Sequence, residues 1–221
     1  MVTTLARTPK TSLDEQRITL HNITWQGYQD ILQALPQTRA ARLTFDHGTL
    51  EITMPLESHE QGCELLGLFI RILVVESGLK LKAMGSTTLD REDLNRGAEP
   101  DKAYYIQNHA KVAGRKVDLK TDPPPDLIVE VDITHTDIDK NTLYAAMGVP
   151  EFWRFNGKLW QILQLQGSSY SEVDRSPTFP WVEKDVLYNF LDQAQMDEAE
   201  AELEFRQWVR QNQPMAKTQS N

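Results

Sequence analysis

Two carboxylates and one lysine stand in an order that is typical of metal-assisted phosphoryl chemistry. Asp101 follows a proline, and Lys140 comes shortly after the apolar run at residues 127–131. Glu130 lies inside that run, where a glutamate is costly to bury unless it is paired or bound to a metal ion. Two acids that hold a divalent cation, with a lysine beside them, are groups that phosphodiester hydrolysis uses.

A strand, a turn and a helix must position these side chains. Residues 127–131 favour a β-strand and are apolar on both faces, which is typical of a strand in the middle of a sheet. Apolar residues recur at helical spacing over residues 137–147, so this segment predicts a helix that carries Lys140. A second strand is predicted directly after Asp101. A helix that begins just after the buried strand brings Lys140 and Glu130 into one cleft.

Each of these residues also has a structural explanation. Asp101 is compatible with a turn, and Lys140 with an exposed helix position in an ion pair four residues apart. The apolar character of its strand favours a functional role for Glu130. Asp126 and Asp132 flank the strand and are compatible with structural or supporting roles.

The order Asp101, Glu130, lysine resembles the PD-(D/E)XK nuclease pattern, and the chain resembles the Uma-type restriction endonucleases, a branch of that superfamily. The resemblance covers residues 23–188. Its most specific segments are EPD at 99–101, PPPDLIVEVDIT at 123–134 and KNTLYAAMGVPEFWR at 140–154. One departure is Asp132, which stands where the superfamily usually has lysine. In this branch the lysine has moved to the following helix, here as Lys140.

The resemblance implies a metal-dependent endonuclease that hydrolyses DNA and acts as a homodimer. The implied cofactor is Mg²⁺, with Mn²⁺ as a substitute. Asp101, Glu130 and the main-chain carbonyl of Val131 would hold the ion, and Lys140 would assist the attacking water. Glu60, on a helix, is the candidate for a further acid in the site.

A binding module is the competing interpretation. The same fold with a degraded site would bind nucleic acid or protein without cleaving it, and Asp132 in place of lysine is its main support. The presence of Asp101, Glu130 and Lys140 together argues against it. The sequence contains no G-x-S-x-G, P-loop or G-x-G-x-x-G motif that would indicate another enzyme class. We interpret His59 as a hydrogen-bonded residue, because no other histidine lies at a metal-ligand spacing from it.

The charge of the chain is uneven. The formal net charge is −9, but residues 183–204 hold eight acids against one base and supply most of it. The segment 107–125 is predicted to be a long exposed loop with four basic residues. Because it joins the strands of Asp101 and Glu130, we expect a basic rim beside them, formed by Lys102, Lys111, Arg115, Lys116 and Lys120.

The remaining composition indicates a soluble cytoplasmic protein with no membrane partner. The single cysteine, Cys63, excludes an intramolecular disulfide and is expected to be a buried inert thiol. Residues 1–17 lack the apolar centre of a signal peptide. The longest apolar run, residues 65–75, contains Arg71 and is too short to span a bilayer.

The fold class expected from the order of elements is α/β (α+β), with a restriction-endonuclease-like core. A mixed central sheet flanked by helices is followed by a C-terminal helical extension. We expect three regions: a flexible lead-in at 1–17, the core domain at 18–195, and a C-terminal helix with a frayed tail at 196–221. The elements predicted from periodicity and turn residues are helices after Thr24 and over 58–77, strands at 42–46, 49–54, 80–88, 151–155, 158–165 and 169–173, and two helices after residue 182.

Overall fold

The computed structural model describes residues 16–36, 38–133 and 136–214. Six α-helices lie within these ranges: α1 Trp25–Ala34, α2 Glu57–Glu76, α3 His109–Val112, α4 Lys140–Ala146, α5 Lys184–Ala194 and α6 Glu198–Asn212. None of the helices in the described ranges is long and apolar enough to cross a membrane. Residues 1–15 of the expected lead-in lie outside the description.

Eleven strands in these ranges form two sheets. The first has the order β1-β3-β2-β6-β5, from β1 Gln16–Leu20, β2 Arg42–Asp46, β3 Thr49–Met54, β5 Leu89–Arg91 and β6 Arg96–Ala98. The second has the order β11-β10-β9-β8-β7-β4, from β4 Lys82–Ala83, β7 Lys102–Tyr105, β8 Leu127–Val131, β9 Glu151–Phe155, β10 Trp160–Gln166 and β11 Ser169–Val173. Within the described ranges only β8 and β9 pair in parallel. The expected mixed α/β core with C-terminal helices is confirmed, although its strands are divided between two sheets.

Strand β8 lies at the centre of the core and is buried along its whole length. Leu127, Val129 and Val131 pack on the face that α2, α5 and α6 cover. Ile128 packs on the opposite face, in a cluster with side chains of α4. Because successive side chains of a strand alternate between faces, Glu130 points to the α4 side, as Ile128 does.

The first sheet has one apolar and one polar face. Leu43, Phe45 and Leu50 pack under α1, where Phe45 stacks on Tyr28 at 4.9 Å between ring centroids. The alternate positions of the same strands are polar: Arg17, Arg42, Thr44, Glu51 and Thr53. This polar face is turned toward the second sheet and borders the candidate site.

Several predicted element ends differ in the structure. Helix α2 begins at Glu57, one residue before the expected start, with Leu56 at the N-cap and no side-chain cap. Its predicted end is correct, since Gly78 has φ +67° and the N–H of Leu79 bonds to the carbonyl of Val74, as in a Schellman motif.

The predicted strand at 80–88 is wrong in extent. Only Lys82–Ala83 forms β4, and Leu89–Arg91 belongs to the other sheet. Strand β1 was not predicted, because its first residues were assigned to the flexible lead-in. Helix α4 begins at Lys140, later than the expected residue 137, because Asp139 accepts the N–H of Asn141 at 3.0 Å and forms the N-cap.

The loop at 106–126 does not lie beside Asp101 and Glu130. Strands β7 and β8 are antiparallel, so the loop that joins them leaves from the ends of Tyr105 and Leu127. Asp101 and Glu130 lie at the opposite ends of the same two strands. The expectation that the loop residues form a basic rim there is therefore wrong. The order of residues along the chain does not show in which direction the two strands run.

Candidate active site

A small cavity lies between the polar face of the first sheet and the end of β8. Its volume is about 20 Å³, which is room for one water molecule or one ion. The predicted site residues Asp101, Glu130, Val131 and Lys140 all border it. The other lining residues are Arg17, Arg42, Thr44, Thr53, Pro55, His59, Glu99 and Asp132.

Asp101 is held by three groups at the start of β7. Its Oδ2 accepts the N–H of Val131 at 2.7 Å and lies 3.1 Å from Nε2 of His59. Its Oδ1 lies 3.0 Å from Nε of Arg42, which comes from the first sheet. The side chain is almost fully buried. Both sheets and helix α2 therefore fix this carboxylate in one orientation.

Glu130 and Lys140 form a buried pair on the α4 side of β8. The Lys140 Nζ donates to Oε2 of Glu130 at 2.8 Å and to Oδ1 of Asp132 at 2.6 Å. The hydroxyl of Tyr144, one turn further along α4, donates to Oε1 of Glu130. The predicted meeting of Lys140 and Glu130 in one place is confirmed by these contacts.

Asp132 joins Lys140 to an arginine of the neighbouring strand. Its Oδ2 accepts Nε and Nη2 of Arg154 at 3.2 and 3.0 Å. Asp132 thus receives the ammonium of Lys140 on one oxygen and a guanidinium on the other. This contact holds the ammonium of Lys140 at the end of β8.

The carbonyl of Val131 faces Asp101. Strand β7 begins only at Lys102, so Val131 has no partner residue in that strand, and its N–H bonds to the Asp101 side chain instead. The N–H and C=O of one strand residue point to the same side. The main-chain oxygen is therefore directed to the same side as the carboxylate of Asp101.

Glu60 lies at the rim and does not line the cavity. Its carboxylate is half exposed, 3.4 Å from Arg42 Nη2 and 3.5 Å from His59 Nδ1. The residue of α2 that touches Asp101 is His59, one position earlier. The helix turn of Glu60 thus lies beside the site, with His59 rather than Glu60 against Asp101.

Other residues that contact the acids were not expected. Tyr144 has a signal in the sequence, because it follows Lys140 by four positions and shares its helix face. Arg42 and Arg154 have none, since they come from strands whose pairing with the site depends on the tertiary fold. A larger cleft of about 450 Å³ adjoins the pair of Asp132 and Lys140, and Arg154 also lines it.

A comparison with protein families finds a match over most of the chain. Residues 25–190, well over half of the chain, match the Uma2 family, which is described as "Putative restriction endonuclease". The chain belongs to this family. No curated protein matched the chain. The family's description supports a nuclease, and the expected restriction-endonuclease-like fold agrees with it.

Burial and neighbouring charges give Asp101 and Glu130 different pKa values in this Uma2 chain. Burial raises the pKa of Glu130 to about 7, and the charges of Asp101 and Asp132 add to this effect against that of Lys140. Burial also raises the pKa of Asp101, but the hydrogen bond and charge of His59, with Lys140 and the Val131 N–H, lower it to about 2. Asp101 is thus ionised at neutral pH, whereas Glu130 is close to its midpoint.

Lys140 remains protonated although it is buried. Burial lowers the pKa of its ammonium, but the charges of Asp132, Glu130 and Asp101 raise it well above its ordinary value. The pKa of Asp132 is lowered, since Lys140 and Arg154 outweigh the opposing effect of burial. The lysine can therefore donate hydrogen bonds and positive charge, but it cannot serve as a base.

The donor set fits a hard divalent cation. Asp101, Glu130 and the carbonyl of Val131 supply oxygen atoms only, and Mg²⁺ and Mn²⁺ prefer oxygen ligands. The adjoining cavity has the size of one ion. Lys140 and Arg42 now neutralise these carboxylates, so metal binding requires that at least one of the two cations shift.

Proposed function

We propose that this chain is a divalent-metal-dependent endonuclease that hydrolyses phosphodiester bonds of DNA. The observation that carries the proposal is that Asp101, Glu130 and Lys140 border one cavity at the end of β8. Family membership supports a nuclease, and the acids and the lysine are groups suited to a phosphodiester substrate.

Asp101, Glu130 and the carbonyl of Val131 would hold the ion, Mg²⁺ with Mn²⁺ as a substitute. When bound, the ion would supply Lewis-acid activation of the scissile phosphate and of the attacking water. The protein holds its ligands ready for this role: His59 and Arg42 fix Asp101, and Tyr144 fixes Glu130.

Lys140 would orient the attacking water and neutralise charge that develops on the phosphate. Asp132 positions its ammonium, and Arg154 keeps Asp132 in place. The 450 Å³ cleft beside this pair is the space from which a DNA strand would approach, and it brings the side chain of Arg154 within reach of a phosphate.

The first test is cleavage of plasmid and short duplex DNA with Mg²⁺, with Mn²⁺ and with EDTA. We expect cleavage with either metal and none with EDTA. Asp101→Asn and Glu130→Gln should each lower the rate by about a hundredfold or more, since each removes a charged ligand of the reacting centre.

The matched control is Glu151→Gln. Glu151 is as buried as Glu130 and lies in the adjacent strand β9, but it binds Ser176, Thr178 and Trp153 rather than the site. It should keep full activity after correction for folded fraction. Equal losses in Glu151→Gln and Glu130→Gln would show that the effect is one of stability.

A binding module with a degraded site is the second candidate. One observation favours it: Asp101 and Glu130 are 4% and 3% exposed and are already paired with Arg42 and Lys140. Calorimetric titration with Mn²⁺ separates the two functions. The endonuclease requires metal binding that disappears in the double variant Asp101→Asn, Glu130→Gln, whereas DNA binding without any metal binding would support the module.

The proposed substrate also bears on the partner, the assembly and the cellular location of the protein. We propose DNA as the partner, a homodimer as the active assembly and the cytoplasm as the location. The free buried thiol of Cys63 is compatible with a reducing compartment.

A further inference from the structure

Three metal-binding side chains of different chemistry meet beside the proposed magnesium ligands. His59 and Cys63 lie one turn apart on α2, and Asp101 faces them from the start of β7. One ligand atom from each lies within 4.8 Å of the other two, and all three residues are buried. Neither His59 nor Cys63 supplies a ligand to the oxygen-ligand site proposed above.

The distances are close to those of a tetrahedral metal site. Bonds of Zn²⁺ to sulfur near 2.3 Å and to nitrogen or oxygen near 2.0–2.2 Å give ligand–ligand edges of roughly 3.3–3.6 Å. Cys63 Sγ lies 3.6 and 3.9 Å from the two ring nitrogens of His59, and His59 Nε2 lies 3.1 Å from Asp101 Oδ2. Because Sγ is almost equally far from both ring nitrogens, it lies beside the ring rather than in line with Nε2, so binding one ion requires a rotation of the Cys63 or His59 side chain.

The surroundings provide an outer partner and space for a further ligand. The half-exposed carboxylate of Glu60 lies 3.5 Å from His59 Nδ1, in the position of the carboxylate that commonly orients a metal-bound histidine. On the inner side, His59 and Asp101 border the 20 Å³ cavity, which leaves room for a fourth ligand.

We propose that Cys63 Sγ, His59 Nε2 and Asp101 Oδ2 bind a borderline-soft divalent cation such as Zn²⁺. Thiolate and imidazole select this class of ion over Mg²⁺. On binding, the thiol proton and the Nε2 proton of His59 pass to solvent, which leaves a neutral imidazole with its proton on Nδ1 beside Glu60. The thiolate with the Asp101 carboxylate balances the two charges of the ion. Three protein ligands with one open position form an exchangeable site rather than a closed structural one.

Co²⁺ substitution tests the proposal directly on the wild-type chain. A thiolate bound to Co²⁺ gives a charge-transfer absorption in the near ultraviolet, and Cys63 is the only cysteine of the 221 residues. We expect one Co²⁺ per chain with this band, and loss of the band when one equivalent of Zn²⁺ is added. Co²⁺ binding without the band, or no Co²⁺ binding, would overturn the proposal.

Two variants locate the ion. Cys63→Ser, a substitution of similar size, should lose the band and bind Zn²⁺ at least about tenfold more weakly. Glu130→Gln removes a proposed magnesium ligand but none of the zinc ligands, so it should retain the band. Loss of the band in Glu130→Gln, with circular dichroism unchanged, would place the ion at the carboxylate pair and contradict the proposal.

These measurements need no DNA. A chain that shows the band but cleaves nothing would contradict the proposed function alone. A chain that cleaves DNA with Mg²⁺ but shows no band would contradict the zinc site alone.

Discussion

Glu130 combines a central strand position with burial and three charged neighbours, Lys140, Asp101 and Asp132. Its carboxylate contacts Lys140 and Tyr144, and burial holds its pKa near 7. A carboxylate in this state changes charge within the pH range in which most enzymes are assayed. Both metal binding and stability should therefore depend on pH near neutrality.

Without metal, the free energy of unfolding should fall as pH rises from about 4.5 to about 7. Folded Glu130 keeps its proton up to about pH 7, whereas an unfolded glutamate loses it near 4.5, so the folded state binds more protons between these values. Urea unfolding in EDTA at several pH values measures this dependence.

Glu130→Gln is the control, and it should lose this contribution. Affinity for Mn²⁺ should change in the opposite sense in the wild-type chain, rising as pH passes through 7. A wild-type and a Glu130→Gln chain with the same pH dependence of unfolding would contradict the assigned titration.

Individual candidate residues could be predicted where the sequence pattern around them was itself unusual. Glu130 was recognised because a charged residue stands in an apolar strand, and Lys140 because a helix follows directly. His59 was identified only as a hydrogen-bonded residue, and its contact with Asp101 joins positions 42 residues apart. No local spacing reports such a contact, and the same holds for Arg42.

At the scale of elements, Glu51 connects the two sheets through the segment before α4. This residue of β3 is buried and accepts Arg17 Nη1 at 2.7 Å, Thr136 Oγ1 at 2.8 Å and the Ile138 N–H at 3.1 Å. The segment leads directly to Lys140. The first sheet therefore helps to set the position of the lysine on α4.

Glu51→Gln should loosen this segment while leaving the proposed metal ligands in place. The N–H groups of Asp137 and Ile138 both donate to the Glu51 carboxylate, and a glutamine side chain is a weaker acceptor. Their hydrogen exchange should therefore become about tenfold faster. DNA cleavage should decrease, with Mn²⁺ affinity unchanged. Glu151→Gln, which alters an equally buried carboxylate outside the site, should leave these amides unaffected; equal acceleration in both variants would indicate general destabilisation.

Long periodic elements were predicted well, and very short strands were not. The hairpins at 42–54 and 151–166 and both C-terminal helices follow from alternation, turn residues and helical spacing. Strands β4 and β5, with two and three residues, are too short for any periodicity to appear. The division into two sheets depends on which short strands pair, which only the tertiary fold decides.

At the scale of the whole molecule, the basic loop lies at the far end of β7 and β8 from the acids. Arg115 is paired with Asp122 within the loop, and Lys102 with Glu64 of α2. Replacing Lys111, Arg115 and Lys116 by alanine should therefore leave the DNA affinity and its salt dependence nearly unchanged. The slope of the logarithm of the DNA-binding constant against the logarithm of the salt concentration is the test. If this slope becomes shallower by about 0.9 for each lost charge, DNA contacts the loop.

The expected homodimer now has less support from the chain itself. Phe190, Phe205 and Val209, apolar residues of the C-terminal helices that could otherwise form an interface between two chains, are buried against α2. Leu203 and Met196 remain exposed on the C-terminal helices. Light scattering at tens of micromolar should show a dimer if a standard-size interface forms. A monomer at that concentration would remove the prediction.

The far-end loop also makes this chain suitable for protein engineering. Gly114 is exposed and has φ +74°, and a methyl group added to its Cα would meet no other part of the described chain within 4 Å. Surface turns of this kind tolerate inserted sequence. A fluorescent domain or an immobilisation tag inserted after Gly114 would project away from the acids, so the chain could be tethered to a surface or followed in a living cell with its cleft open.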